Sequence, residues 1–353
     1  MITELSCGPD IQDAREFLEQ NGLSFEEGCD DLIGIHEMDR LVAVGARAGN
    51  ILKMFAVDAA HQGGPLLGEL VTTLVGRGYA AGYDSLFVFT KPEYVISFEA
   101  LNFSLLANQG QAALLEFGKG LERWLATNRA LVRPGQNGAV VMNCNPFTLG
   151  HRFLVEEAAR QLDNLYLFVV REERSLFPFD VRYRLVKKGV ADLANVVVLE
   201  TSHYAISGAT FPTYFLKAND QSARIQMELD LTLFATRIAP FFGITRRFAG
   251  SEPGCEMTEC YNQVMKRLLP LYGMELVEIE RIRTASGFIS ASRVRDLLGR
   301  GDLEAIRELV PPTTLAFLLS DEAGPIRKKL SQFKLIQDYT LPPPAPPAGS
   351  RRM

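Results

Sequence analysis

The chain has 353 residues, enough for two domains of about 150 residues with a tail left over. Hydrophobic residues make up 47% and charged residues 22%, which excludes wholesale disorder and a fibrous repeat. The net charge of −5 averages two unlike parts: residues 1–130 hold 9 Lys+Arg against 18 Asp+Glu, and residues 131–353 hold 28 against 24. A basic back half suits a nucleotide-sized polyanion, and its excess is too small to argue for a nucleic-acid partner. In chain order, residues 10–20 have helical spacing, with Ile11, Ala14, Phe17 and Leu18 on one face and Asn21-Gly22 as the stop. Apolar runs at 32–36 and 41–48 flank Glu37-Met38-Asp39-Arg40 and read as a strand pair around a turn. A strand at 51–57, the glycine-rich His61-Gln62-Gly63-Gly64-Pro65, an amphipathic helix at 66–77 and a buried strand at 85–90 follow. A helix is expected over 114–128, and Arg133-Pro134-Gly135-Gln136-Asn137-Gly138 marks a domain boundary.

The second domain opens with a continuous apolar strand at 139–143, of the kind buried on both faces of a parallel sheet. A helix at about 150–162 and strands at 165–170, 196–199 and 276–279 follow. Strands alternating with helices predict an α/β fold with a doubly wound, Rossmann-like parallel sheet, whose ligands sit beyond the carboxyl ends of the strands. Residues 341–350 are proline-rich without apolar periodicity, so residues 326–353 are expected to be an extension ending in a disordered tail. The five cysteines are scattered and form no C-x-x-C pair, which favours reduced thiols over disulfides or a structural zinc site. The first residues lack a signal-peptide pattern, and no window holds about 18 consecutive apolar residues; no membrane partner and a cytoplasmic location are expected.

The most informative stretch is Asn143-Cys144-Asn145-Pro146-Phe147-Thr148-Leu149-Gly150-His151, between a strand end and a helix start. Thr148 is a capping residue, Gly150 lets a ligand approach the backbone, and His151 projects from the first turn, where N–H groups and the dipole favour phosphate. Read alone, Thr148 is equally a mere cap and His151 a packed histidine. A second stretch, Ile289-Ser290-Ala291-Ser292-Arg293-Val294-Arg295, combines an N-cap serine with an arginine able to grip phosphate oxygens bidentately. Together the two resemble the (T/H)-x-G-H and I-S-x-(S/T)-x-(V/I)-R motifs of the nucleotidyltransferase superfamily. With Ser207-Gly208-Ala209-Thr210-Phe211-Pro212-Thr213-Tyr214-Phe215-Leu216-Lys217 and Gly250-Ser251-Glu252-Pro253, they resemble the citrate (pro-3S)-lyase ligase family over roughly residues 1–325.

That resemblance implies an acetyltransferase-like (GNAT) α/β domain at 1–130 and a nucleotidyltransferase domain at 138–325. It also implies an enzyme that forms acetyl-AMP from ATP and acetate, with Mg²⁺ on the phosphates. The acetyl group then passes to the CoA-derived prosthetic thiol on the acyl carrier subunit of citrate lyase. Acetate is already ionised at neutral pH, so the site needs positioning and fixed donors more than a base. His151, Thr148 and Arg295 are the expected catalytic residues, with Ser290 beside Arg295 on the β- and γ-phosphates. Asn143, Asn145, Pro146, Phe147, Gly150, Ser292, Lys217, Arg171 and Glu252 are candidates for ATP binding, and no metal site is expected in the protein itself. Arg174 and His203, near strand ends, and Arg182, after Phe179-Asp180-Val181, are weaker candidates. In the first domain the (Q/R)-x-x-G-x-(G/A) turn for CoA pyrophosphate is matched by Gln62-Gly63-Gly64-Pro65-Leu66-Leu67, where Pro65 has no N–H to give. That domain is left to receive the prosthetic arm weakly, to dock a partner, or to serve as a structural remnant. The two motifs also suit a small-molecule adenylyl- or cytidylyltransferase, and, in another class, a non-catalytic nucleotide-binding scaffold.

Overall fold

Helix α1 (Gly8–Gln20) buries Ala14, Phe17 and Leu18, and stops where Asn21 caps the Phe17 carbonyl (2.8 Å) and Gly22 turns to φ +73. This computed structural model describes residues 1–171, 175–206, 221–251, 256–284 and 287–330. Strands β1 (Ile2–Glu4), β2 (Asp31–Glu37), β3 (Arg40–Ala48) and β4 (Ile51–Val57) precede helix α2 (Leu66–Ala80). The β2–β3 hairpin closes through Met38 and Asp39, both at positive φ, as a two-residue turn of right-handed strand twist requires. Then come β5 (Leu86–Thr90), α3 (Val95–Glu99), β6 (Phe103–Gln109), β7 (Ala112–Phe117) and α4 (Gly120–Thr127). The helix expected over 114–128 is therefore a strand followed by a shorter helix. Ala113, Leu114 and Leu115 are buried consecutively, which a strand covered on both faces satisfies, and Gly118 at φ +106 breaks the chain before α4.

The rest of the chain supplies β8 (Asn137–Met142), α5 (Leu149–Ala159), β9 (Asn164–Val169), α6 (Phe179–Gly189), β10 (Val196–Glu200), α7 (Gln221–Leu233) and α8 (Ala239–Phe242). After these come β11 (Ile244–Gly250), α9 (Glu256–Leu268), β12 (Glu275–Ile279), the short β13 (Arg283–Thr284) and β14 (Gly287–Phe288), α10 (Ala291–Arg300), α11 (Leu303–Arg307) and α12 (Pro312–Leu319). Among the described residues no helix is long and apolar enough to cross a membrane.

Two compact units emerge. The first comprises Met1–Asn137, Thr201–Arg247 and Glu252–Leu276; the second comprises Gly138–Glu200, Phe248–Ser251 and Val277–Met353. The first unit carries a seven-stranded sheet in the order β1-β2-β3-β4-β5-β7-β6, and the parallel pair β4–β5 is joined only at Ile51–Phe87 and Leu52–Val88. Helix α1 covers Leu41, Val44, Ala46, Met54 and Ala56, whereas α2 and α3 cover Ile33, Leu52, Leu86, Val88 and Leu115. Helix α7 packs on β6 and β7. On the same part of the sheet Tyr204 donates to the buried Glu116 carboxylate (2.7 Å), and its ring meets Phe87 and Trp124. This covering groups the described residues 201–206 and 221–247 with the first unit.

The second unit holds most of a five-stranded sheet ordered β10-β9-β8-β11-β12, the unit boundaries falling inside β11 and β12. Strands β9 and β10 are parallel from Leu165–Val196 to Val169–Glu200. Successive strands run outward from β8 to β10, and the order then switches to β11 on the other side of β8. That switch point puts the segment after β8 where open α/β sheets bind ligands. Val140, Met142, Val155, Leu165, Leu167, Val186, Val294 and Leu298 form its core.

Candidate active site

Strand β8 ends at Met142, and the chain turns at once, with Cys144 in the left-handed region (φ +53) and a cis Asn145–Pro146 peptide. The turn is held from behind. Asn143 Nδ2 donates to Ser175 Oγ (3.1 Å), and Asn145 Oδ1 accepts from the Phe177 N–H (3.0 Å). Arg182, with 0% of its surface exposed, donates Nε to the Phe177 carbonyl (2.9 Å) and Nη1 to the carbonyls of Asn143 (2.7 Å) and Val170 (2.8 Å). A fully buried guanidinium that satisfies three carbonyls is framework, so Arg182, a weaker candidate after Phe179-Asp180-Val181, holds the turn from within α6.

Helix α5 then begins with Thr148 as N-cap. Thr148 Oγ1 accepts from the His151 N–H (3.3 Å), and Nδ1 of His151 accepts from the Thr148 N–H (3.0 Å) while lying 2.9 Å from Oγ1. This reciprocal capping box uses a histidine where glutamate or glutamine is usual. Because a backbone N–H can only donate, Nδ1 must be the acceptor and the ring proton must sit on Nε2. Burial, assisted by the charge of Arg281, lowers the His151 pKa from 6.5 to about 4, so the ring is neutral at physiological pH. Among the described residues Nε2 takes no partner, which leaves a neutral N–H donor presented outward. Leu149 spends its N–H on the Leu309 carbonyl (2.9 Å).

The second motif arrives on β14 and α10. Ser290 caps α10 by accepting from the Arg293 N–H (3.2 Å). Arg295 reaches across to the Asn145 carbonyl with Nη1 (2.5 Å) and to Ser292 Oγ with Nη2 (3.0 Å). Both partners are neutral oxygens, and burial lowers its pKa, a desolvation that a bound anion would offset. Gly150 lies so close to the second motif that a Cβ there would stand 3.2 Å from the Ile289 carbonyl oxygen. The two segments, about 140 residues apart in sequence, thus meet at two helix N-termini, bringing the neutral donor of His151 and the cation of Arg295 to one site.

Several candidates change role. Pro146, Phe147 and Thr148 are buried, Phe147 at 0% and Thr148 at 1%, and pack beneath the site. Phe147 stacks on the His151 ring (centroids 5.9 Å apart, planes 13° apart). Gly150 faces Ile289, so its missing side chain admits the second motif. Arg171 pairs with Glu200 (3.2 Å) and lies over the Phe179 ring (5.2 Å), and none of its described contacts is to the two motifs. His203 belongs to the first unit and packs edge-on against Phe87 (6.0 Å). Lys217, Glu252, Arg174, Cys255, the string 207–217 and the proline-rich tail lie outside the described residues. Arg281, which sequence reasoning did not single out, contributes its charge to the shift of His151. It lies two positions beyond β12, and the strand-end rule that picked out Arg171 would have found it.

Residues 137–318 match the profile of the citrate lyase ligase C-terminal domain. The citrate (pro-3S)-lyase ligase of Klebsiella pneumoniae is 43% identical over 310 residues, covering 86% of this chain and 91% of its own length. That of Escherichia coli K12 is 42% identical over 311 residues, covering 86% and 88%. Among solved structures, an N-acetyltransferase from Staphylococcus aureus Mu50 aligns with 33% of this chain and 97% of its own at 14% identity and a TM-score of 0.28, too low to carry an argument. The extent and identity of the first two matches, together with the profile over the half that carries both motifs, place the chain in the citrate (pro-3S)-lyase ligase family.

Proposed function

We propose that the chain activates citrate lyase, using ATP and acetate to form acetyl-AMP and then acetylating the CoA-derived thiol on the acyl carrier subunit. The observation that carries this reading is the meeting of His151 and Arg295 at one place, a neutral donor and a cation whose partners among the described residues are neutral oxygens, framed by the starts of α5 and α10. In the first step an acetate oxygen attacks the α-phosphorus, the bond from that phosphorus to the β-bridging oxygen breaks, and pyrophosphate leaves. Both reactants are anions, so the chemistry needs donors that do not have to be protonated first. Nε2–H of His151 suits an α- or β-phosphate oxygen. Arg295 and the N-terminus of α10 suit the β- and γ-phosphates. In the second step the carrier thiolate attacks the acetyl carbonyl, and AMP leaves with the electrons of the broken C–O bond.

Among the described residues no group of three His, Cys, Asp or Glu side chains is placed to hold a metal. In this reading a magnesium ion on the nucleotide's phosphate oxygens would neutralise charge on the leaving pyrophosphate. The assay that tests the reading measures AMP and pyrophosphate with ATP, Mg²⁺ and acetate, with and without the deacetylated carrier subunit. Pyrophosphate release that depends on acetate, and AMP release that rises with the carrier, are expected. Release that depends instead on a phosphorylated co-substrate would favour a small-molecule adenylyltransferase.

A further inference from the structure

We propose that Arg152, the residue after His151 and outside both motifs, is a positioning residue for the reaction: its fork on Asp192 and the Gly189 carbonyl clamps the end of α6 behind Phe147 and so fixes where the His151 ring presents Nε2–H. The inference rests on the adenylyl-transfer reading above and adds the support that holds its donor.

The contacts form a closed circuit. One step along α5 from His151 turns the side chain by about 100°, so Arg152 points away from the ligand side and meets the end of α6. Its Nη1 and Nη2 donate to the two carboxylate oxygens of Asp192 (2.6 Å each), Nη1 also donates to the Gly189 carbonyl, and Nε donates to Glu156 one turn on (2.7 Å). Gly189 is the last residue of α6, so its carbonyl is one of those a helix leaves without an intrahelical partner. A Cβ at Gly189 would collide with one edge of the Phe147 ring, so that ring rests on the Gly189 backbone. The same ring lies nearly parallel to the His151 imidazole, 13° apart with centroids at 5.9 Å. Arg152 thus holds the surface on which Phe147 rests, and Phe147 backs the imidazole.

The pairing differs from an ordinary surface ion pair. The Arg152 side chain is only 17% exposed, and a bidentate fork with a third bond to a carbonyl fixes direction as well as distance. Arg152 also holds the Asp192 carboxyl down at about 2, so the fork stays ionised wherever His151 is neutral. The capping bond to Nδ1 restrains one point of the imidazole and leaves it free to swing about that bond. A flat partner held from behind removes that freedom, and small misplacements of a donor are costly where charge develops.

The test compares full-length wild type with Arg152→Met, Arg152→Lys, Asp192→Asn and the double variant, each shown to be folded by its thermal melt and assayed well below its melting temperature. Arg152→Met is expected to lower kcat for acetate-dependent AMP formation by about tenfold or more, with KM for ATP changed by less than about threefold. Arg152→Lys should be intermediate, because an ammonium keeps the charge and loses the fork. The double variant should be no slower than Arg152→Met, since both changes break one clamp, and losses that multiply would overturn the proposal. A readout independent of turnover is the NMR spectrum of isotope-labelled histidine rings, where His151 is the one of four signals missing from His151→Gln. The ring current of Phe147 acts on that signal, and its shift should change in Arg152→Met. A lower melting temperature with kcat and the His151 shift both unchanged overturns the proposal and makes the pair a structural brace. Equal losses in ATP affinity and kcat would overturn it in favour of direct ligand contact. A wild type that makes no AMP from acetate would overturn the reaction, while the His151 signal alone still judges the clamp.

Discussion

The backbone N–H of Thr148 donates to Nδ1 of His151 at 3.0 Å, and this one bond decides which nitrogen of the imidazole faces a ligand. A neutral ring with its proton on Nε2 donates without first acquiring a proton. The acid limb of kcat/KM for ATP, which reports the free enzyme, should therefore be absent from about pH 5 to 8 as far as His151 is concerned. If His151 acted as a cation, the same quantity would fall as pH rises past 6.5. His151→Ala should lower AMP formation by ~100-fold or more, because it deletes the donor outright.

The depressed pKa also enters stability. The unfolded chain binds the His151 proton more tightly than the folded one between pH 6.5 and about 4, so this contribution is complete above pH 6.5 and is lost as pH falls through that window. Its size is about 2 to 3 kcal/mol. Urea unfolding of wild type and His151→Gln at pH 7.5 and 4.5 isolates it. The advantage of wild type over the variant should shrink by that amount at the lower pH, and an unchanged difference would mean the ring is not held neutral.

Thr148 is predicted to act through His151. Thr148→Ser keeps the hydroxyl and both backbone bonds, and should keep stability within about 0.5 kcal/mol and activity within a few-fold. Thr148→Val removes the hydroxyl that caps the His151 N–H, costing about 1 kcal/mol, and leaves the ring held by the Thr148 N–H alone, without the Oγ1 contact at 2.9 Å. Its kcat should fall by more than ten times the change in ATP affinity, because the misdirected donor matters most where charge develops. Equal losses in both parameters would make Thr148 a direct ligand, which its 1% exposure opposes.

Much of this site was legible from local chemistry. Thr148 and His151 were readable as a helix start, and Arg295 as a phosphate-type arginine, because capping and charge act over a few residues. What escaped was long-range. The strand Ala112–Phe117 reads as helix until β6 is known to pair with it, and the bond from Tyr204 to Glu116, 88 residues away in sequence, has no local signal. Burial was also invisible. Phe147 and Arg182 carry side chains suited to ligand contact, and only the packed structure shows one stacked behind His151 and the other spent on three carbonyls.

Two glycines test how tightly the site is closed. A Cβ at Gly150 would stand 3.2 Å from the Ile289 carbonyl, a backbone atom that cannot rotate aside. Gly150→Ala should therefore part the two motifs by a few tenths of an ångström, costing about 1 kcal/mol in stability and up to ~100-fold in kcat through misplacement. At Gly189 a Cβ would collide with the Phe147 ring, so Gly189→Ala should disturb the same site from behind, with a larger stability loss of about 2 to 3 kcal/mol. Thermal melts and AMP assays on both variants check the contrast. A fully active Gly150→Ala would show that Ile289 can retreat.

Arg182 separates framework from ligand. Replacing it with methionine keeps much of the volume and strands the carbonyls of Phe177, Asn143 and Val170, a loss of about 3 to 5 kcal/mol. Lysine should rescue little, since one ammonium on a flexible stem cannot reproduce a planar fork that reaches three carbonyls. An arginine that gripped phosphate would leave the apo protein nearly as stable and abolish the rise in melting temperature on adding MgATP. The framework reading expects the opposite pattern, a lower apo melting temperature with most of the ATP-induced rise retained. Differential scanning fluorimetry of Arg182→Met and Arg182→Lys with and without MgATP distinguishes the two. A normal apo melt with no ATP response would return Arg182 to the list of ligands.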